Sequence, residues 1–332
     1  MIITRTPYRV SLFGGGTDFP KWYSENGGAV LAFAINRYSY LNARFLPPFF
    51  SHRYRVAYSK VEEVASLNQI KHPGFREALR IYGNSKMLEI HHHGDLPARS
   101  GIGSSSAFTV GIINALNSIN GNILSSIKIA DLAIKFEQDV LSENVGSQDQ
   151  ITCSVGGLNY IRFNSTGSWQ IEKIQASNSF QSQIEDRAVL FYSGISRNSS
   201  DVSKLLIENI TKNDRIMIRL MELAEEGNKI FKSEENLDRI GELLNEGMKL
   251  KMELNPNSTN QNIKELLDHG KKCGASGGKI LGAGGGGFVL FWLPEGARST
   301  FISKLAKGVV VPFKIEPKGT QVIFNDVLDK SI

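Results

Sequence analysis

Apolar residues recur along the chain with two periods, one typical of strands and one typical of helices. Alternating or short apolar runs predict strands over 2–4, 8–13, 29–35, 38–45, 54–58, 158–163, 169–174, 188–192, 309–315 and 320–324. Apolar residues three and four positions apart predict helices over 74–82, 108–117, 126–142, 201–208, 215–231, 236–254, 259–269 and 300–306. The segment 61–67 reads as a helix or a turn, and 279–291 as strand, glycine hinge, strand. Strands and helices mixed in both halves predict two α+β or α/β units.

Length and composition agree with a folded protein of two domains. The chain has 332 residues, and single cores rarely grow beyond about 250–300 residues. Hydrophobic residues make up 41% and charged residues 21%, which excludes a disordered chain. The turn between the strands at 158–163 and 169–174 is the predicted boundary, which gives domains of residues 1–165 and 166–332.

Charge and cysteine content limit the partners and the compartment. The formal net charge is +5, from 38 basic and 33 acidic residues spread along the chain. Because no dense basic run is interleaved with aromatic residues, we expect no nucleic-acid surface; the modest positive field suits phosphorylated small molecules, or simply aids solubility. Two separated cysteines, Cys153 and Cys273, and the absence of a secretory or membrane-length apolar segment predict a soluble cytoplasmic protein.

The stretch 97–107 is the strongest candidate for chemistry. It joins a strand-like run to a helix-period run, so its glycines and serines form a loop that opens a helix. A helix N-terminus presents unpaired N–H groups to anions, of which phosphate is the commonest. Gly101 and Gly103 allow close backbone approach, and Ser104, Ser105 and Ser106 add hydroxyl groups. The alternative is an ordinary loop with a serine N-cap.

Two further glycine-rich segments and two acids extend this interpretation. The first segment, 14–18, reads Gly-Gly-Gly-Thr-Asp, and the second, 282–287, contains five glycines and one alanine. Three such loops predict a cleft whose backbone closes on a polyanion, as phosphoryl transfer requires. Glu137 and Asp149, on either side of a helix break, can place one carboxylate for Mg²⁺ and one for the acceptor hydroxyl. A tight β-turn at 14–18 and two solvated acids are the alternatives.

Three adjacent histidines, His91, His92 and His93, are weak evidence for a metal site. Alternate residues of a strand face opposite sides, so only His91 and His93 can share a face. We expect solvent-side strand residues here.

Three motifs, in order, resemble those of the GHMP kinase superfamily. Residues 97–107 resemble the phosphate loop P-x-x-x-G-L-G-S-S-A-A, residues 7–18 the amino-terminal sugar-kinase motif, and residues 279–287 the carboxy-terminal K-x-x-G-A-G-x-G-G. The resemblance implies an α+β fold of two domains, ribosomal protein S5-like and then ferredoxin-like, with the active site in the cleft between them.

The resemblance also implies roles for individual residues, with ATP and Mg²⁺ as cofactors. The ATP-binding set is Pro97, Arg99, Gly101, Gly103, Ser104, Ser105 and Ser106. Ser105 and Glu137 would ligate Mg²⁺. Asp149 would accept the hydroxyl proton or orient that hydroxyl, with Arg9 beside it keeping it ionised. The substrate-binding set is Gly14, Gly15, Gly16, Thr17, Asp18, Arg197, Gly282, Gly284 and Gly285.

Departures from the pattern suggest the substrate. Gly15 and Gly16 stand where galactokinases carry Glu-His, which leaves room for a larger or differently oriented sugar. The segments 14–18, 98–108 and 193–197 most resemble those of D-glycero-D-manno-heptose 7-phosphate kinases, which phosphorylate the anomeric hydroxyl. Arg197 is the candidate for the 7-phosphate, with Arg99 and Lys279 behind it. A fucokinase-like free-sugar kinase and a non-catalytic sugar or nucleotide sensor are the alternatives, and a homodimer is compatible with the sequence.

Overall fold

A large mixed sheet organises the first half of the protein. The structure is a computed structural model that describes residues 1–195, 206–305 and 308–327. Its first sheet contains β1 (Ile2–Phe13), β2 (Gly28–Phe45), β3 (Tyr54–Ala57), β4 (Val61–Val64), β5 (Leu88–Gly94), β6 (Leu158–Phe163), β7 (Trp169–Lys173) and β12 (Gln321–Asn325). The strand order is β12-β1-β2-β5-β3-β4, and β6 and β7 continue from the first half of β2. Only the β3–β5 pair among these is parallel.

The strands predicted at 2–4 and 8–13 form one long strand, β1, and those predicted at 29–35 and 38–45 form another, β2. The predicted break around Pro7 is wrong, because β1 continues through it with a register shift between Pro7 and Tyr8. Across the same bulge, β2 continues through Asn36, whose N–H donates to the carbonyl of Lys314. A proline lacks the ladder N–H, and a bulge lets a strand tolerate that loss without ending.

The prediction of a helix or turn over 61–67 is also wrong in part. Val61–Val64 forms β4, which pairs antiparallel with β3 through a tight turn at Ser59 and Lys60. A single helical turn follows at Leu67–Gln69. Four residues are too few to distinguish a strand from a helix by period, so pairing with β3 decides the conformation.

Helices cover the large sheet and position the ends of its loops. They are α1 (Pro20–Asn26), α2 (Pro73–Tyr82), α3 (Ser104–Ile119), α4 (Ser126–Lys135) and α5 (Gln148–Val155). Most of α3 is buried, with Ala107, Val110, Ile112 and Ile113 all at the centre of the core. A helix that is apolar on nearly every side is stable only when it is enclosed, so α3 is fixed against β1 and β2. Its N-terminus, where the candidate anion loop ends, is therefore rigid.

The second half contains a four-stranded antiparallel sheet. Its strands are β8 (Ala188–Tyr192), β9 (Gly277–Ile280), β10 (Phe288–Trp292) and β11 (Val309–Val311), and the helices are α6 (Asn178–Arg187), α7 (Asp214–Ser233), α8 (Asp238–Leu254), α9 (Gln261–Lys272) and α10 (Arg298–Lys304). The order β11-β8-β10-β9 places the fourth strand beside the first, as in ferredoxin-like folds. Across residues 1–195, 206–305 and 308–327, no helix is both long and apolar enough to cross a membrane.

The two halves are joined by strands as well as by packing. β12, almost the last described segment, returns to the large sheet and pairs with β1. Helix α7 lies close on β1 and β2, because a Cβ at Gly227 would lie 2.7 Å from the ring of Phe13 and 2.9 Å from Leu31. The predicted boundary after residue 165 falls between β6 and β7, which pair with each other. The division into residues 1–165 and 166–332 stays a prediction.

The three histidines lie at the end of β5. His91 and His93 share one face, with ring centroids 6.4 Å apart, as expected. His92 points the other way and is half-buried rather than on the solvent side, with its ring 5.1 Å from Phe108 of α3. Its Nε2 lies 3.0 Å from the hydroxyl of Ser39, and burial, with help from His72 and His93, lowers its pKa to about 4. His92 is thus a neutral packing residue.

We expect His92 to make the protein sensitive to acid. Its pKa in the folded state, about 4, lies below the ordinary value of 6.5, so its contribution to stability is complete above pH 6.5 and is lost as the pH falls towards 4. The loss should be about 1–3 kcal/mol. Urea denaturation at pH 7 and pH 4.5 of the wild type and His92→Gln checks this: the stability lost between the two pH values should be smaller in the variant. Equal losses would show that His92 does not titrate as proposed.

Candidate active site

The predicted phosphate loop lies between β5 and α3, with an exposed side and a packed side. Pro97 and Arg99 are exposed, whereas the hydroxyl of Ser100 is turned inwards and donates to the carbonyl of Pro97 at 2.6 Å. Gly103 has φ 71° and forms the N-cap of α3, a left-handed conformation that favours glycine. The loop therefore directs the N-terminus of a buried sixteen-residue helix to the surface, where its unpaired N–H groups can receive an anion.

The carboxy-terminal glycine motif supports this loop from behind. Phe288 donates its backbone N–H to the carbonyl of Ser100 at 2.9 Å. A Cβ at Gly101 would lie 2.5 Å from the carbonyl oxygen of Leu281, and one at Gly282 would lie 2.5 Å from Cα of Gly101. The two glycine segments are thus in backbone-to-backbone contact, which fixes the loop by main-chain packing.

Gly287→Ala should therefore destabilise the protein. Gly287 has φ 88°, and a Cβ there would lie 2.2 Å from the carbonyl oxygen of Ser100, so both conformation and space exclude a side chain. The left-handed conformation alone costs an alanine about 1–2 kcal/mol, and the overlap adds to that. Chemical denaturation should show a loss of at least about 2 kcal/mol. Gly121→Ala, at φ 84° with no atom within 4 Å of the added Cβ, is the control for the conformational cost alone; an equal loss in both variants would contradict the role of packing.

Arg9 and Asp149 form a two-pronged ion pair beside the loop. Arg9 is buried on β1, and its Nε and Nη2 donate to the two carboxylate oxygens of Asp149, each at 2.6 Å. Its Nη1 donates to the carbonyl of Gly101 at 2.7 Å. The carboxylate of Asp149 lies 3.4 Å from the position of a Cβ at Gly103, and its side chain is 22% exposed. An accessible carboxylate is thus held in one orientation at the mouth of the anion loop.

Burial and the ion pair with Asp149 have opposite effects on the pKa of Arg9. Burial by itself would lower the pKa of the guanidinium, but the charge and hydrogen bonds of Asp149 outweigh that effect and leave the pKa of Arg9 raised. The cation is therefore permanent, and Asp149 is its carboxylate partner. The pair brings together β1 and the first turn of α5, segments 140 residues apart.

Asp18 lies under α5 rather than at the surface of the 14–18 turn. Its Oδ1 accepts from the N–H of Gly16 at 2.9 Å and its Oδ2 from the N–H of Gln148 at 3.3 Å. The side chain is buried, and burial, opposed by these hydrogen bonds, raises the pKa of Asp18. Gly146 permits the approach, since a Cβ there would lie 1.9 Å from Oδ2. Asp18 therefore fixes the turn to the helix that carries Asp149; its contact with substrate stays a prediction.

Glu137 is buried at the opposite side of the N-terminus of α3. It lies in the π-helical turn Phe136–Val140 that continues α4, and its Oε2 accepts from the hydroxyl of Ser106 at 2.9 Å and from the amide of Gln150. Burial raises its pKa to about 8. Its other oxygen, Oε1, is buried and accepts no well-formed hydrogen bond in the part of the chain that the structure describes, although the side chain of Thr109, like those of Ser106 and Gln150, opposes the rise in the pKa of this carboxyl. An unpaired carboxylate oxygen beside an anion site is what a divalent cation requires.

The three serines at the start of α3 have different surroundings. Ser106 contacts Glu137, whereas Ser105 is exposed on the first turn of α3 and Ser104 accepts from the N–H of Arg99 at 3.0 Å. The assignment of Ser105 as a metal ligand stays a prediction. Among the described residues no group of three or more His, Cys, Asp or Glu side chains could hold a metal by itself. A cation here would depend on phosphate oxygens, as Mg²⁺ usually does.

The remaining predicted residues are distributed around this cleft. Gly284 and Gly285 pack on Ser258, and the N–H of Gly285 donates to the carbonyl of Ser258 at 2.6 Å. Lys279 donates to the carbonyls of Ser11 and Leu12 at 3.0 and 2.7 Å, and burial lowers its pKa to about 7. Arg197 lies outside the described residues.

Sequence reasoning missed the two glutamines that flank Asp149. Gln150 contacts Glu137, and Gln148 is buried against the 14–18 turn, with its backbone N–H on Asp18 and its Nε2 3.6 Å from the position of a Cβ at Gly15. Their position beside a candidate catalytic acid was the only available signal, and a glutamine in a helix has no period or spacing that separates a buried role from an exposed one.

Known proteins are similar to this chain in sequence. The chain matches the GHMP kinases N terminal domain over residues 69–157 and the GHMP kinases C terminal domain over residues 221–310. It is 25% identical to the D-glycero-alpha-D-manno-heptose 7-phosphate kinase of Campylobacter jejuni, covering 96% of this chain and 98% of that one. It is 28% identical to the bifunctional fucokinase/GDP-fucose pyrophosphorylase of Arabidopsis thaliana, covering 86% of this chain and 29% of that protein.

A solved structure has the same fold. The D-glycero-D-manno-heptose 1-phosphate kinase of Bacteriodes thetaiotaomicron aligns with a TM-score of 0.79 and 22% identity, over 98% of this chain and all of that one. The two matched domains together cover more than half of the sequence, and they contain the phosphate loop, Glu137, Asp149 and the carboxy-terminal glycines. The chain therefore belongs to the GHMP kinases, and it is an ATP-dependent phosphotransferase of the sugar-kinase type.

Proposed function

We propose that this protein transfers the γ-phosphoryl group of ATP to the anomeric C1 hydroxyl of D-glycero-D-manno-heptose 7-phosphate. The product would be the 1,7-bisphosphate, a cytoplasmic intermediate in nucleotide-activated heptose biosynthesis for surface polysaccharide. The observation that carries the proposal of phosphoryl transfer is the Arg9–Asp149 pair, held at the mouth of the loop 97–103. The Campylobacter jejuni relative, similar over almost its whole length, supports the choice of heptose 7-phosphate.

The geometry supports separate roles for the loop, Asp149 and Arg9 in the transfer. The loop and the N-terminus of α3 would bind the phosphates of ATP through backbone N–H groups. The acceptor hydroxyl would lie against Asp149, which takes its proton as the oxygen–phosphorus bond forms and the bond to the leaving ADP breaks. Arg9 holds both oxygens of Asp149, so the carboxylate does not have to be oriented at the moment of transfer.

The residues present fit Mg²⁺. Glu137 Oε1 is buried without a well-formed hydrogen bond among the described residues, and the exposed Ser105 directly precedes Ser106, which contacts Glu137, in the first turn of α3. We propose that these two residues hold the cation, which when bound neutralises charge on the phosphates. Ser106 and Gln150 would orient Glu137 through its other oxygen.

The substrate would lie between the 14–18 turn and the carboxy-terminal domain. The exposed Gly15 and the helix α7, whose Met217 lies 3.8 Å from the position of a Cβ at Gly16, border that space. We propose that Arg197 binds the 7-phosphate. A fucokinase-like free-sugar kinase is the second candidate, supported by the similarity to the Arabidopsis protein.

A panel of sugars and sugar phosphates, coupled to ADP release, tests the proposal. We expect turnover with D-glycero-D-manno-heptose 7-phosphate, with product phosphorylated at C1 by ³¹P NMR, and at least a hundredfold lower kcat/KM with the unphosphorylated heptose. Preference for free fucose would favour the second candidate. Absence of ADP formation with every sugar would favour a non-catalytic sensor. Arg197→Ala should reduce kcat/KM for the phosphorylated sugar alone; equal losses for both would reject its role.

A further inference from the structure

The middle glycine of the 14–18 turn is not required by the backbone. Gly14 and Gly16 have φ of 80° and 109°, and a Cβ at Gly14 would lie 1.8 Å from the carbonyl oxygen of Ala29. Gly15 does not have a positive φ, and it is exposed. The nearest atoms to a Cβ there are Nε2 of Gln148 and Oγ of Ser11, both at the ordinary contact distance of 3.6 Å. An alanine would fit, so the missing side chain leaves space open above two polar groups.

The amide of Gln148 forms part of the floor of this space, and it is nine-tenths buried. The side chain is 7% exposed, and its Oε1 has no hydrogen-bond partner in the part of the chain that the structure describes. Such a group lowers stability, because it gives up its water without a replacement. Its own backbone N–H is anchored on Asp18, so the side chain is held beside the 14–18 turn by a fixed helix end.

The two residues of this floor, Gln148 and Ser11, are also close in the chain to the proposed catalytic residues. Gln148 immediately precedes Asp149, whose carboxylate faces Arg9 and the phosphate loop. Ser11 is 5% exposed and lies on β1 two residues beyond Arg9, on the same face of the strand. A polyol whose reacting hydroxyl lies at Asp149 would extend a second hydroxyl over this floor.

We propose that Gln148 and Ser11 form a hydroxyl-binding subsite that determines which sugar is accepted, and that Gly15 keeps it open. This inference rests on the proposed sugar-kinase function. The amide offers both a donor and an acceptor, so it can bind one hydroxyl as donor or acceptor and leave Ser11 to bind a neighbouring oxygen. Loss of such polar contacts discriminates strongly against a sugar that lacks the matching hydroxyl.

Two variants test the subsite from opposite directions. Gln148→Met removes the polar contacts at nearly constant volume, and Gly15→Ala narrows the space without a backbone clash. Each should raise KM for the accepted sugar at least about tenfold, equivalent to about 1.4 kcal/mol, while KM for ATP stays unchanged and the melting temperature does not fall. Gln170→Met, at an exposed position of β7, is the matched control and should leave both KM values unchanged.

A series of deoxy sugars separates recognition from a structural effect. The wild type should lose activity with one deoxy analogue, and Gln148→Met should lose no further activity with that same analogue. If Gln148→Met unfolds, Gly15→Ala, at an exposed position, still provides the test. Unchanged sugar KM values in both folded variants would overturn the subsite and leave the kinase proposal intact. A wild type that phosphorylates no sugar would overturn both.

Discussion

Asp149→Asn should reduce kcat for sugar phosphorylation by about 10²–10⁴, the usual contribution of a general base. The amide cannot accept the hydroxyl proton, although it has almost the shape of the carboxylate and can accept one hydrogen bond from Arg9. The Nη1 of Arg9 retains its bond to the carbonyl of Gly101, so the loop should keep its position. Steady-state kinetics should therefore show a fall in kcat with little change in KM for ATP.

Asp139→Asn is the matched control for this experiment. Asp139 is an exposed carboxylate on the turn that also contains Glu137, and its side chain makes no hydrogen bond or ion pair with any residue that the structure describes. Its variant should retain wild-type kcat. Near-normal turnover in Asp149→Asn would remove Asp149 from the catalytic role, and the equilibrium affinity for ATP, measured separately, would show whether the loop had been disturbed instead.

Glu137→Gln should weaken Mg²⁺-dependent ATP binding by about 100-fold, the upper end of what loss of a metal-site partner costs. The carboxamide retains the approximate shape of Glu137, so contacts with Ser106 and Gln150 can be rearranged rather than lost. It supplies no negative charge to a cation, and the buried Oε1 position is then a poorer ligand. Calorimetric titration with a non-hydrolysable ATP analogue, with and without Mg²⁺, measures the change.

Metal-free binding and stability distinguish this effect from misfolding. Without Mg²⁺ the variant should bind the analogue about as well as the wild type does. Because the pKa of Glu137 is raised to about 8, the wild-type side chain is mostly protonated at pH 7, and the neutral amide should leave thermal stability at that pH nearly unchanged. Undiminished Mg²⁺ dependence in Glu137→Gln would contradict the assignment, and Ser105→Ala, compared with Ser106→Ala, would then identify which hydroxyl contributes.

Much of the local structure could be predicted from the sequence because it depends on near neighbours. The helices over 214–233 and 238–254 follow from apolar period, and the β6–β7 hairpin from alternation around a glycine-containing turn. Where a local signal and tertiary pairing conflict, pairing prevailed. Pro7 bends a strand that its partner β2 holds in place, and Val61–Val64 becomes a strand because β3 lies beside it.

For the side chains of the candidate site, too, some features follow from local sequence and others only from tertiary contacts. The resemblance to GHMP kinases pointed to Arg9, and their position on either side of a helix break, together with that resemblance, pointed to Glu137 and Asp149. The structure brings all three to the N-terminus of α3, Arg9 through the loop that precedes it. Which serine contacts Glu137 was not predictable, since adjacent residues on a helix differ in direction by about 100° and only the position of α4 selects Ser106. Asp18 reads in sequence as a turn residue, and only the approach of α5 over Gly146 buries it.

The sequence by itself therefore located the candidate anion loop, the order of the three glycine-rich segments and the residue types that phosphoryl transfer would use. These depend on backbone freedom and side-chain chemistry, which belong to single residues and short segments. Only the tertiary structure decided that 282–287 supports the loop by main-chain contact, that β12 closes the first sheet, and that Gly15 leaves space above Gln148. Those features are distances between segments far apart in the chain, and close packing, rather than local preference, sets such distances.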